Sequence, residues 1–263
     1  MIIKTKPSTL PKITSKQKSI LLLLYKFRFL TTNQILKLFN HKDPHRIKEW
    51  LTDLKEKSYI NRLYERKSFG ENTKPAIYFL APKARQILKT DKDMDLAELE
   101  YIYKENARSK KFIDHNLFLV DTYLFLLSQK EGQDEIKFFT KADLRRYTYF
   151  PDPMPDAFIS MIGQDKTRHY FLDFFDDYTP SFVLRQRVRS YLNYVATSDW
   201  DENTESTPFP FILFICPNES MKKHINRYAK ALFEKTYDDK ISLFITTKTR
   251  VDVGEVGNIW QKV

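Results

Sequence analysis

The stretch DPHRIKEWLTDLKEK, residues 43–57, opens with Asp43 as an N-cap and Pro44 at the first helical position, a good helix start. Ile47, Trp50, Leu51 and Leu54 recur at spacings of three and four, which puts them on one face of a helix over about Pro44–Lys57. The other face shows His45, Arg46, Lys48, Glu49, Thr52 and Lys55. Such a helix is anchored on one side and offers a largely basic surface on the other.

Two helices precede it. Ser15 can cap one over about Lys16–Phe29, with Ile20, Leu21, Leu23, Leu24 and Phe27 apolar. Thr31 or Thr32 can cap a shorter one, Asn33–Phe39, before a turn at Asn40–Lys42. Downstream the period changes: Tyr59–Arg66 alternates like a strand, Lys67–Pro75 is a polar loop with Gly70, and Ala76–Leu80 reads as a returning strand. A short helix, Pro82–Leu88, closes the segment. Three helices followed by a hairpin is the order of a winged helix-turn-helix, assigned here to residues 1–90. In that architecture the third helix enters the major groove of duplex DNA and the hairpin loop rides on the adjacent backbone. The candidate DNA-binding residues are therefore His45, Arg46, Lys48 and Thr52 on the helix and Arg62, Arg66, Lys67 and Lys74 on the wing. His45, Arg46 and Lys48 lie near a helix N-terminus, where the dipole and free amides also favour phosphate.

Charge is distributed to match. Residues 1–90 hold 20 Lys plus Arg against 6 Asp plus Glu, or +14; the remaining 173 hold 24 against 28, or −4, and together they make the net +10. A basic module joined to a slightly acidic one points to a polyanion partner for the first. With five glycines the chain has neither GxGxxG nor GxxxxGK[ST], and its single cysteine, Cys216, excludes an internal disulfide framework and CxxC metal knuckles. The apolar run Ile20–Tyr25 is too short to span a membrane and no small-residue cleavage site follows it, so a cytoplasmic protein is expected.

Residues 91–111 read as a charged connector, with a short helix from about Leu96 to Tyr103 expected to bridge the two domains. A second domain, 112–263, follows in the order helix Phe112–Ser128, strand Glu135–Thr140, strands Pro155–Met161 and Arg168–Phe175, helix Phe182–Val195, an acidic loop Asp199–Thr207, strand Phe209–Cys216, helix Glu219–Lys235, strand Ile241–Thr247 and a last short strand near Ile259–Lys262. The expected fold class is α/β (α+β over the whole chain): the winged helix-turn-helix, then a nuclease-like α/β domain with a central mixed sheet.

That order matches the core whose signature is PD-(D/E)xK, in which two acids end adjacent strands and bind Mg²⁺ while a lysine activates the attacking water. Pro155-Asp156 supplies the PD and Asp173 the strand acid, so these two are the candidate catalytic and metal residues. Phe175 occupies the lysine position and can neither donate a proton nor stabilise a developing charge. Arg185 or Arg189 on the following helix could supply a cation, Asp176 and Asp177 further negative charge, and His115 could lie nearby. His41, His45, His169 and His224 show no metal-ligand spacing. A scaffold without cleavage is the favoured reading; a metal-dependent endonuclease using Asp156, Asp173 and Arg185 is the alternative.

Thr31-Thr32-Asn33-Gln34, His115-Asn116-Leu117, Pro155-Asp156, Leu172-Asp173, Arg185, Arg189 and Tyr194, Leu243–Thr247 and Ile259-Trp260 occur in an order that resembles the replication-relaxation family of plasmid and mobile-element proteins. That family usually shows acid, one residue, acid on the strand; here Phe175 replaces the second acid and Asp176 follows it. The resemblance implies a double-stranded-DNA-binding accessory for plasmid replication or mobilisation, with a relaxase or replication initiator as partner. A homodimer would suit a two-fold DNA site. A winged-helix transcriptional regulator with a sensing domain is a third reading.

Overall fold

The computed structural model describes residues 10–63, 75–91, 96–130, 132, 134–205, 207–236 and 240–263. The chain divides into two compact units, Met1–Leu117 and Phe118–Val263.

The first unit runs α1 (Ser15–Phe27), β1 (Leu30–Thr31), α2 (Thr32–Leu38), α3 (Pro44–Glu56), β2 (Ile60–Leu63) and β3 (Ile77–Leu80), followed by a 3-10 turn at Pro82–Ala84 and α4 (Arg85–Leu88). The strands pair antiparallel in the order β1-β3-β2. This is the winged-helix arrangement anticipated from the hydrophobic pattern, with β1 as an unanticipated third strand. The cap of α1 is Thr14 rather than Ser15: the Gln17 amide donates to the Thr14 hydroxyl (3.2 Å) and the Thr14 amide to the Gln17 side chain (2.9 Å). Reciprocal capping needs a returning acceptor three residues on, which Gln17 supplies for Thr14 and Lys18 cannot supply for Ser15. Thr31 and Gln34 repeat the device at α2. Ile20, Leu21, Ile35, Ile47, Leu51, Leu54 and Tyr59 are fully buried beneath the helices.

The stretch expected as a connector, 91–111, contains α5 (Leu96–Glu100) and a 3-10 segment, Tyr101–Ala107. Leu99 and Ile102 are buried, and the nearly inaccessible Glu105 carboxylate accepts from the Arg28 guanidinium. The division between units falls inside α6 (Lys110–Ser128).

The second unit is a six-stranded mixed sheet in the order β4-β5-β6-β7-β8-β9. Its elements are β4 (Glu135–Thr140), α7 (Lys141–Leu144), β5 (Ala157–Ile162), β6 (Thr167–Phe174), α8 (Ser181–Thr197), α9 (Asp199–Asn203), β7 (Phe211–Cys216), α10 (Glu219–Thr236), β8 (Leu243–Thr247), α11 (Lys248–Asp252) and β9 (Gln261–Lys262). β4, β5 and β6 are antiparallel, β6, β7 and β8 parallel, and β9 antiparallel. Alternation along β6 divides its side chains between two layers. Phe174 meets Phe118 of α6 (4.8 Å between centroids), whereas Phe171 stacks on Tyr191 of α8 (5.7 Å). The acidic loop holds α9 because Trp200 is buried and its indole N–H donates to the Thr207 carbonyl at 2.8 Å. Among the described residues no helix is long and apolar enough to cross a membrane.

Candidate nucleic-acid interface and a buried acid pair

The burial of Ile47, Leu51 and Leu54 turns His45, Arg46, Lys48, Glu49, Thr52 and Lys55 outward on α3. The Asp43 carboxylate accepts the His45 amide at 2.8 Å, so the helix start is capped by its own acid. Arg46 is braced by Glu49 (2.9 Å) and lies 6.0 Å from the centre of the Trp50 ring. His41 meets the same side chain edge-on at 5.6 Å, while its Nδ1 accepts from the Asp43 amide (3.0 Å). The turn and the first part of α3 are thus held together. Arg62 is exposed on β2; Arg66, Lys67 and Lys74 lie outside the described residues.

In the second unit, Ala157 faces Leu172 across β5 and β6, so Asp156 and Asp173 occupy the next rung. Both are buried, each with only 6 % of its surface exposed. Asp156 Oδ1 accepts from Lys141 Nζ at 2.6 Å and Oδ2 from the Phe174 amide at 3.0 Å. Asp173 Oδ2 accepts from Arg187 Nε (2.8 Å) and the Tyr191 hydroxyl (2.6 Å). Arg187 also donates to Tyr191 (2.8 Å) and to the Pro153 carbonyl. Burial, the largest single influence, would lower the Arg187 pKa, but the charge and hydrogen bond of Asp173 together with Tyr191 and Asp156 outweigh it and the guanidinium is held above its ordinary value. Burial, then the same carboxylate, push the Tyr191 phenol well above its usual range, so it is a neutral donor.

The structure brings Asp156 and Asp173 together, and the arginine bonded to Asp173 is Arg187, not Arg185. Leu184, Arg187, Val188 and Tyr191 share the buried stripe of α8, whereas Arg185 turns to α10 and lies 5.9 Å from the centre of the Tyr228 ring. The three- and four-residue spacing of that stripe was the signal for Arg187. Lys141 had no signal, because α7 is a single turn after β4. Phe175 is buried against Phe214 (5.0 Å), filling with hydrocarbon the position where the motif has lysine. Asp177 is exposed, and His115 belongs to the first unit. Among the described residues no three His, Cys, Asp or Glu side chains converge as a metal site.

Two other reactive types are accounted for locally. Burial pushes the Cys216 thiol up to about 12, which leaves it unreactive at neutral pH. Ser160 Oγ and His169 Nδ1 sit 3.0 Å apart as a cross-strand pair, and burial lowers the His169 pKa.

The replication-relaxation family model matches residues 21–208. The chain belongs to that family. The match runs from within α1 through the rest of the winged helix, both acids and α8. No curated protein matches the chain. Among solved structures, the C30AH42A mutant of ZitR from Lactococcus lactis is similar over 49 % of this chain and 82 % of its own, at 20 % identity and a TM-score of 0.27. The restriction endonuclease FokI is similar over 91 % of this chain and 43 % of its own, at 12 % identity and 0.32. FokI bound to DNA gives 92 %, 45 %, 12 % and 0.30. Similarity at TM-scores this low does not establish a shared fold or a shared activity with these proteins.

Proposed function

We propose that this member of the replication-relaxation family is a duplex-DNA-binding accessory for plasmid or mobile-element replication or mobilisation, acting in the cytoplasm. The outward face of α3 carries this reading: His45, Arg46, Lys48 and Thr52 stand exposed on a helix whose other side is locked in the core. The wing, with Arg62, Arg66, Lys67 and Lys74, would follow the adjacent backbone. About four to six phosphate contacts would give a slope of log K against log salt near −4 to −5. A homodimer on a two-fold site and recruitment of a relaxase or replication initiator are parts of the same proposal.

The second unit, on this reading, is a scaffold that does not cut. A Mg²⁺ ion needs oxygen ligands turned toward it. Asp156 and Asp173 instead bind Lys141, Arg187, Tyr191 and a backbone amide, and no third acid joins them among the described residues. This donor set does not fit the metal. The test is a binding and cleavage series on labelled duplex in EDTA, Mg²⁺ or Mn²⁺, with Asp156→Ala alongside. Retarded but intact DNA in every metal is the expected result. Metal-dependent cutting that disappears in Asp156→Ala would make the chain an endonuclease, and absence of salt-sensitive binding would remove the DNA-binding reading altogether.

A further inference from the structure

The exposed side of α8 has no part in the acid pair. Arg185 and Arg189, one turn apart, lie 5.9 and 5.6 Å from the centre of the Tyr228 ring of α10, and neither has an ion-pair partner among the described residues. With Phe182 and Gln186 they line an open depression of about 420 Å³. Phe182 is 57 % exposed within it, although an aromatic ring is ordinarily withdrawn from water. α8 contains no acid, and Lys223, Arg227 and Lys230 are exposed along the outer side of α10. Residues 91–263 hold 24 basic against 28 acidic side chains, so this concentration of cations is not overflow from a basic composition.

We infer that the α8–α10 face binds single-stranded DNA, independently of the duplex contact made by α3. Its arginines and lysines meet the phosphates, and Phe182 offers its ring to an unstacked base. The exposed ring selects the strand form, because stacking on an aromatic side chain needs a base already out of the duplex. The tyrosine beneath the two arginines holds their guanidinium planes in place, which lowers the ordering cost of each phosphate contact.

The experiment uses the full chain and fluorescence anisotropy with labelled oligothymidine of about 16 nucleotides, the upper end of the usual site size. A duplex and an oligouridine of the same length run alongside. Arg185→Glu/Arg189→Glu should lose about 100-fold in affinity for oligothymidine at low salt, and removing two phosphate contacts should flatten the salt slope by about 1.4. Phe182→Ala should lose about tenfold. Lys223→Glu/Arg227→Glu leaves the Tyr228 stack untouched, guards against a folding artefact, and should also lose about tenfold. Duplex affinity should stay within about twofold in all three, whereas Arg46→Glu/Lys48→Glu on α3 should weaken duplex binding at least about tenfold and spare the single strand. Unchanged oligothymidine affinity in the Phe182 and Lys223/Arg227 variants would overturn the inference. So would a parallel fall for duplex and single strand, or tighter binding of oligouridine. A wild-type chain that binds oligothymidine but no duplex would count against the α3 reading and leave this one standing.

Discussion

On α3, His45, Arg46, Lys48 and Thr52 stand in solvent while Ile47, Leu51 and Leu54 are completely buried beneath them. In the second unit Asp156 and Asp173 are themselves buried, and their charges are met by Lys141 and Arg187. An exposed charge keeps its hydration and contributes little to stability, so its value lies in what it can bind. A buried charge has lost its water and must be matched inside the protein. Both regions use lysine and arginine and set them in opposite surroundings, one in solvent and the other against buried carboxylates.

The largest expected effect tests the inward half of that contrast. Arg187→Ala leaves the Asp173 carboxylate buried without its partner and should destabilise the second unit by about 3–5 kcal/mol. In thermal unfolding that is a fall of about 10 °C. Replacing both members, Asp173→Leu with Arg187→Met, should recover most of it. A double variant as unstable as Arg187→Ala alone would show that the pair does more than neutralise itself. On the outward side, Lys48→Ala should leave stability within about 0.5 kcal/mol, and a larger loss would mean α3 is not the free surface described.

Smaller effects sharpen the picture. Thr31→Ala removes the hydroxyl that accepts the Gln34 amide and should cost about 1 kcal/mol in urea unfolding. Lys141→Ala should cost less than about 1 kcal/mol, because the lysine side chain is 47 % exposed and Asp156 keeps the Phe174 amide. The smallest is a pH effect. Burial lowers the His169 pKa from its ordinary 6.5, so the fold favours the neutral ring. That stabilisation is complete above pH 6.5 and is lost as pH falls through the lowered folded value. His169→Gln should therefore flatten the dependence of the urea midpoint on pH below 6.5; an identical pH profile would assign the dependence to other groups.

Much of this was legible in the sequence. The helix starting at Asp43-Pro44 appears as Pro44–Glu56, and Glu135–Thr140 is a strand at those bounds, because each carries an unbroken period and a clear start. β1 escaped because two residues cannot display a period, and α9 because its acidic sequence hides the one buried side chain, Trp200, that anchors it. Asp156 and Asp173 were recognisable from type and spacing. Their partners were not: Lys141 is far from them in sequence, and only the register of α8 separates Arg187 from Arg185. A motif names the groups that could do chemistry, while the fold decides which of them are engaged elsewhere.

The most direct test of the central claim compares the wild type with Arg46→Glu/Lys48→Glu for equilibrium binding to duplex DNA from about 50 to 200 mM salt. The account predicts a steep salt slope near −4 to −5 in the wild type, and in the variant a shallower one with at least about tenfold weaker binding and an unchanged melting temperature. Equal affinity and equal slope in the two proteins would contradict it.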